Sequence, residues 1–472
     1  MTLQTPEAQD FIIVGATGDL SQRKLLPALY NLATHDLLPP GGRIIGMASR
    51  EWTDDTFREM ARQAVEKFSR TGRNERAWSR LAARLFYVRA DDAGYAGLRD
   101  HGSQGSRVVY LAIPPSAAAG AVARLGDTGA AEGTSIVLEK PFGRDLESCR
   151  ALNEFIHHHF DESHIFRIDH YLGKETVQNI LVFRFANSMF ERVWNRDAID
   201  HVQITVAESI GMEGRGAFYE EVGALRDVVQ NHVLQVLSLL AMEPPITMAA
   251  DAIHEEKAKV LHAMLPMDPA YVVRGQYAAG IVDARAVPAY LEEPGVAPES
   301  ETETFFAAQV QIDSWRWAGV PFYIRAGKRL PRRETEITVV FREAPKWLFE
   351  GTSVQSLRPN RLVLRLQPNE GISLTFLAKQ PGPDVTVNRV AMDFSYRDSF
   401  MTEPAEAYER LLLDAMHGDH TLFLRGDNVE RAWSVVEPLL RNPPPLFRYP
   451  AGTWGPAEAD HLISPPREWH LK

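Results

Sequence analysis

The chain has 472 residues, 45% of them hydrophobic, which is enough for a large core and too many for one ordinary domain. A formal net charge of −11, with no long basic run to offset it, argues against a nucleic-acid or anionic-membrane partner. The single cysteine, Cys149, excludes an internal disulfide; residues 1–10 are not leader-like and no apolar stretch is long enough to span a bilayer, so a soluble cytoplasmic protein is expected.

The first element is the apolar run 11–14, which ends in Gly15-Ala16-Thr17-Gly18-Asp19-Leu20. A helical pattern follows, with Leu25, Leu26, Leu29, Tyr30 and Leu32 on one side. Gly15 permits a sharp turn. Gly18, without a Cβ, lets a pyrophosphate approach the helix N-terminus, where free N–H groups and the macrodipole favour negative charge. A plain strand-to-helix turn is the other reading of Gly-x-x-Gly. The next strand, 43–47, leaves through Ala48-Ser49-Arg50. An NAD enzyme places an acid at that exit for the ribose 2′-hydroxyl, whereas an arginine suits a 2′-phosphate. Ser49 and Arg50 therefore point to NADP, and Glu51, one residue on, leaves room for NAD as the weaker cofactor.

Amphipathic helices are predicted over 54–68 and 75–84, and strands over 85–88 and 108–112. Pro114-Pro115 forces an extended exit that can pass over a nicotinamide ribose. An alanine-rich helix over 117–125 leads to a strand over 135–139, which puts Lys140 at the carboxyl edge of a parallel sheet, on the ligand side. A helix over 144–160 ends in His157-His158-His159; consecutive helical residues point apart, so this reads as a solvated face and no metal site is expected.

Residues 165–168 read as a short strand, and Lys174 starts a helix. Between them, His170, Tyr171 and Lys174 offer donors and positive charge to an anion. Asp169 would repel a phosphate and needs a separate task, for which orienting a catalytic histidine is the obvious choice. A self-capped polar turn is the alternative.

In the second half, a helix runs to 185 and a strand over 199–207 ends at Glu208. From Leu225 the apolar positions keep helical spacing, and His232 lies on that stripe behind Asp227, Gln230 and Asn231. A buried histidine is usually a core residue, but one held by a carboxylate is a general base near neutral pH. From Glu303 the period becomes two, with strands over 305–312, 320–325, 336–341, 361–366 and 372–378. Arg325, Lys328, Arg329, Arg332 and Arg333 form either a solvated loop or a second contribution to an anionic substrate. Helices over 404–416 and 428–440 and a Pro/Trp/Gly-rich surface strap end the chain, and the broad sheet has apolar positions to spare for a second subunit. The fold class expected is α/β: an N-terminal Rossmann-type dinucleotide-binding domain (1–168) and a C-terminal α+β domain (169–472) with a large, mostly antiparallel sheet.

Five stretches together resemble the glucose-6-phosphate dehydrogenase family nearly end to end: the glycine motif 15–20, Glu139-Lys140-Pro141-Phe142-Gly143, residues 167–175 (Arg-Ile-Asp-His-Tyr-Leu-Gly-Lys-Glu), residues 226–232, and residues 408–414. The resemblance implies oxidation of D-glucose 6-phosphate to 6-phospho-D-glucono-1,5-lactone with NADP, by a homodimer or homotetramer. It implies that His232 is the base and Asp169 its carboxylate partner. His170, Tyr171 and Lys174 resemble phosphate ligands; Lys140, Glu208 and Asp227 match contacts to sugar hydroxyls; Lys328 and Arg333 match cations reaching the same substrate. Gly15, Thr17, Gly18, Asp19, Leu20, Lys24, Ser49, Arg50, Pro114 and Lys140 fall at cofactor positions. The chain departs from the family pattern at Ser49, where relatives often carry a second basic residue, and at Pro331-Arg332.

Overall fold

In a computed structural model, residues 5–72, 74–98, 106–345, 347–350, 354, 357–400 and 405–471 are described. The chain divides into two compact units: Met1–Glu175 with Pro245–Glu255 and Pro404–Glu430, and Thr176–Pro244 with Glu256–Glu403 and Arg431–Lys472. The first therefore runs past residue 168, to the end of the 167–175 motif, and takes in two later pieces of chain.

In the first unit, short runs rich in Ile, Val and Leu form six parallel strands: β1 (Asp10–Val14), β2 (Ile44–Ala48), β3 (Leu85–Arg89), β4 (Arg107–Leu111), β5 (Thr134–Leu138) and β6 (Ile165–Ile168). Their order is β3-β2-β1-β4-β5-β6, and Phe423–Leu424 pairs antiparallel on the far edge. Phe11, Ile12, Ile13 and Val14 are all buried, as expected where helices cover both faces of a parallel sheet. Strand order reverses between β1 and β4. In a doubly wound sheet that reversal opens the ligand crevice at the carboxyl ends.

Local chemistry sets the helix bounds. Thr53 accepts from the Thr56 N–H at the start of Asp54–Phe68, and Asp145 with Ser148 forms a capping box that starts a helix at Leu146 instead of 144. That helix ends at His157, whose imidazole meets Glu162 at 2.7 Å. A short helix, Asp92–Gly97, was not expected.

The second unit holds a nine-stranded sheet in the spatial order Val387–Ser395, Gly371–Lys379, Arg361–Gln367, Glu334–Phe341, Ile199–Ala207, Phe322–Gly327, Phe305–Val310, Val272–Ala278, Leu446–Pro450. Ile199–Ala207 with Phe322–Gly327 and Leu446–Pro450 with Val272–Ala278 are parallel; the other six neighbouring pairs are antiparallel. The tail is more than the surface strap expected. It supplies an edge strand and sends Trp469, 1% exposed, into a core with Tyr277, Tyr290, Phe305 and Tyr449. The helix expected from 404 spans Ala407–His417, residue 404 itself lying outside the described residues.

Candidate active site

The glycine motif stands at the carboxyl end of β1. Gly15 has φ +91°, and a Cβ there would lie 2.3 Å from the Ala112 carbonyl oxygen at the end of β4. Only glycine fits that turn. The Gly15 and Ala16 N–H groups donate to the Met47 carbonyl, at 2.7 and 3.0 Å, and Ser21 Oγ donates to the Gly15 carbonyl. A Cβ on Gly18 would meet the Gly15 carbonyl oxygen at 3.1 Å. The chain then winds through wide, π-type turns over Ser21–Leu25 before the α-helix Leu26–Thr34. Thr17, Asp19 and Leu20 lie on this turn; the Thr17 carbonyl accepts from Gln22 Nε2, and Asp19 pairs with Arg23. A backbone held this close at the sheet's switch point, without side chains in the way, fits a dinucleotide pyrophosphate. Lys24, three residues into the turn, is tied to Glu406 at 3.0 Å.

Ser49 and Arg50 are exposed just beyond β2. The Arg50 guanidinium lies 5.6 Å from the Trp52 ring, and Tyr87 Oη donates to the Arg50 carbonyl at 2.7 Å. Glu51, the residue that left room for NAD, forms an ion pair with Arg89 at the end of β3. Pro114 leads extended backbone from β4 into the helix Pro115–Asp127.

β5 delivers Glu139 and Lys140 to the same edge. Glu139 Oε1 accepts from the phenols of Tyr110 and Tyr408, at 2.5 and 3.0 Å. Burial raises the Glu139 pKa above the ordinary carboxylate value, and Asp169 adds to the rise; the two phenols and Lys140 act against it. In the sequence Glu139 is the last residue of an expected strand, and Tyr408 stands out only within the 408–414 stretch. The one available signal was an acid next to Lys140, and nothing in one dimension says that two tyrosines meet it.

β6 places Asp169 at its end, 1% exposed, with Oδ1 accepting the Tyr171 N–H at 3.0 Å. The turn is closed by Leu172 N–H to the Asp169 carbonyl and Lys174 N–H to the Tyr171 carbonyl. Lys174 Nζ lies 3.9 Å over the Tyr171 ring, whose centroid is 5.3 Å from that of His170; Tyr408 lies parallel to His170 at 6.5 Å. Three donor side chains, His170, Tyr171 and Lys174, are thus neighbours on this turn. Gly173, which follows Leu172, is not among the glycines with positive φ. Its missing side chain lets the helix Ala407–His417 approach, for a Cβ would lie 2.9 Å from the Ala407 carbonyl oxygen.

In the second unit, Ile199–Ala207 and Phe322–Gly327 run side by side, and their ends carry Glu208 and Lys328, joined by an ion pair of 2.5 Å. Lys328 Nζ is 5.3 Å from the ring of Tyr219. Burial pushes the Tyr219 phenol well above its ordinary pKa, with further repulsion from Asp227, Glu303 and Glu208. The charges of Glu208 and Asp227 are thus felt at the phenol over which Lys328 lies. Gly223 (φ +62°) turns the chain into a second π-type stretch, Leu225–Val233, which starts with the Leu225 N–H donating to Glu303 Oε1 at 3.1 Å. That stretch carries Asp227 and His232, and His232 is 2% exposed with its backbone N–H donating to Asn231 Oδ1. π-type turns recur at functional sites, and both wide stretches here bear candidate residues.

The five cations of this stretch have separate partners. Arg325 is buried in its strand between the rings of Trp454 and Trp469 and donates to the Leu471 carbonyl. Arg329 meets Glu293 at 3.6 Å and Arg332 meets Glu334 at 3.2 Å. Arg333, exposed, donates to Gln367 Oε1 at 3.1 Å, and only Lys328 joins Glu208.

A doubly wound sheet with a glycine turn at its switch point, and grouped donors at its carboxyl edge, defines a two-domain dinucleotide-binding oxidoreductase. Residues 12–179 match the family described as "Glucose-6-phosphate dehydrogenase, NAD binding domain", and residues 181–470 match "Glucose-6-phosphate dehydrogenase, C-terminal domain". The chain belongs to the glucose-6-phosphate dehydrogenase family. It is 46% identical to the glucose-6-phosphate 1-dehydrogenase of Aggregatibacter actinomycetemcomitans, over 96% of this chain and 95% of that protein. The crystal structure of the Mycobacterium avium glucose-6-phosphate 1-dehydrogenase superposes with a TM-score of 0.89 at 38% identity, covering 99% of each chain. A glucose-6-phosphate dehydrogenase solved in complex with its substrate glucose-6-phosphate gives a TM-score of 0.89 at 34% identity, covering 97% of this chain and 98% of that one.

Proposed function

We propose that this protein oxidises D-glucose 6-phosphate to 6-phospho-D-glucono-1,5-lactone with NADP as the hydride acceptor. The observation that carries the reading is the undisrupted 167–175 motif at the carboxyl end of β6, in a chain that matches the family from residue 12 to residue 470.

Gly15 and Gly18 clear the pyrophosphate path, and Arg50 with Ser49 holds the 2′-phosphate; Thr17, Asp19, Leu20, Lys24 and Pro114 line the rest of the nucleotide's course. When bound, NADP supplies the electron sink for the hydride from C1. His170, Tyr171 and Lys174 bind the sugar phosphate, whose binding energy anchors the ring far from the reacting carbon and orients C1. Lys140, Glu208 and Asp227 hold sugar hydroxyls, with Lys328 and Arg333 adding positive charge toward the same substrate. His232 takes the C1 hydroxyl proton on an imidazole nitrogen. Asp169 orients that ring and stabilises the imidazolium that forms. Buried as it is, Asp169 loses little to solvent screening in that task.

The sheet of the second unit is the proposed face for a second copy of the chain. Its edge strand Val387–Ser395 exposes Val390 and Met392, the latter by 63%, which supports a homodimer or a tetramer of such dimers. No helix among the described residues is long and apolar enough to cross a membrane, which supports a cytoplasmic location. The direct test is nicotinamide absorbance on mixing the protein with glucose 6-phosphate and NADP. Reduced nicotinamide should appear with the phosphorylated sugar and be far slower with glucose; equal rates with both would refute the phosphate-anchored reading.

A further inference from the structure

The NADP reading leaves open how a site with an acid beside its arginine admits a 2′-phosphate, and the end of β3 answers that. Arg89 is the Cα partner of Ala48 in the sheet, so its guanidinium emerges beside the Ser49-Arg50-Glu51 exit and not on it. It forms the ion pair with Glu51 and lies 3.6 Å from Asp91 Oδ2. The other Asp91 oxygen is committed to the Gly94 N–H, at 2.9 Å. Tyr87, two residues before Arg89, bonds the backbone of this exit twice, at the Ala48 and Arg50 carbonyls. The Tyr87 and Trp52 rings lie 5.9 Å apart, and Trp52 in turn faces the Arg50 guanidinium. The end of β3 thus fixes the loop that carries Arg50 and also brings a second cation to it.

We propose that Arg89 is a specificity-determining residue that works with Arg50. It neutralises Glu51, and it gives its guanidinium to the 2′-phosphate when NADP binds. The magnitudes favour that exchange. The Arg89 and Glu51 side chains are 53% and 78% exposed, and an ion pair so exposed is held weakly. A phosphate bearing close to two charges and accepting two parallel N–H bonds is the stronger partner. A free 2′-hydroxyl brings no charge and at most one neutral acceptor, too little to draw Arg89 from Glu51, so the pair stays closed against it. Without Arg89, Glu51 would repel a 2′-phosphate and be free to accept from a ribose hydroxyl, as the acid of an NAD site does.

The proposal rests on the NADP reading, and the experiment separates the two. Calorimetric titration with 2′,5′-ADP and with 5′-AMP needs no turnover and isolates the 2′-phosphate. Wild type should bind 2′,5′-ADP more tightly. Arg89→Gln should weaken 2′,5′-ADP by roughly tenfold or more while leaving 5′-AMP equal or tighter. Adding Glu51→Gln to that variant should restore part of the loss, and the Arg89 effect should shrink as salt rises, because the groups are exposed. If Arg89→Gln weakens both nucleotides by the same factor, or neither, the proposal is overturned while the NADP reading stands. If wild type fails to prefer 2′,5′-ADP, both fall.

Discussion

Burial and neighbouring charge decide what single residues do here. Glu336 sits 5% exposed in the large sheet; burial lifts its pKa to about 7, with Glu334 adding and Thr338, Arg325 and Arg332 opposing. His470 Nε2 is 3.9 Å away and is pushed down to about 4, by burial first and then by Arg361, Arg389 and Arg332. For Glu336 the folded state keeps a proton that the unfolded chain has released, so its contribution to stability falls as pH rises from the ordinary carboxylate range to about 7. His470 acts in the opposite sense, since stability is lost as pH falls through its ordinary value toward about 4. Glu336→Gln should therefore gain stability relative to wild type as pH is raised through that window, read by urea unfolding at several pH values. A difference between variant and wild type that stays constant with pH would contradict the assignment. At the anion group, Lys174→Ala removes a charge-assisted donor and should raise KM for the sugar phosphate by roughly tenfold or more with a smaller effect on kcat. Steady-state kinetics with varied substrate would show it.

At the scale of elements, the β1 turn carries the nucleotide reading. Gly15→Ala would put a methyl 2.3 Å from the Ala112 carbonyl oxygen in a left-handed conformation, at a cost on the order of 1–3 kcal/mol. The expected outcome is a lower melting temperature and loss of NADP binding by calorimetry. Much of this level was legible in one dimension. The helix 54–68, the strand 165–168 and the strand 199–207 have the bounds expected, because a capping threonine, a buried apolar pulse and a long β-branched run are local signals. The strand Val387–Ser395 was not legible, since its sequence alternates weakly and six successive residues are exposed. The tail misled for a related reason: Pro, Gly and Trp read as surface, yet Trp469 packs into a core that also takes in Tyr277, Tyr290, Phe305 and Tyr323, far away in sequence. For the site, residue types within a motif were readable, but Glu139 needed Tyr110 and Tyr408 from two other segments, and Arg89 had to be brought to Glu51 by strand pairing.

On the scale of the whole molecule, the exposed face of Val387–Ser395 predicts self-association. Met392→Asp would place a charge at a 63% exposed apolar position and should shift the assembly toward smaller species, seen by sedimentation over a range of concentrations, while the melting of an isolated chain changes little. The proposed reaction turns on proton removal by His232 with Asp169 behind it. The most direct measurement is kcat for NADP reduction by glucose 6-phosphate in wild type, His232→Asn and Asp169→Asn, alongside the dissociation constant for the sugar phosphate. His232→Asn should lower kcat by roughly 10²–10⁴-fold or more with substrate affinity nearly unchanged, and Asp169→Asn should move kcat in the same direction. A His232→Asn enzyme that keeps wild-type kcat, or that loses substrate binding in proportion to rate, would contradict it.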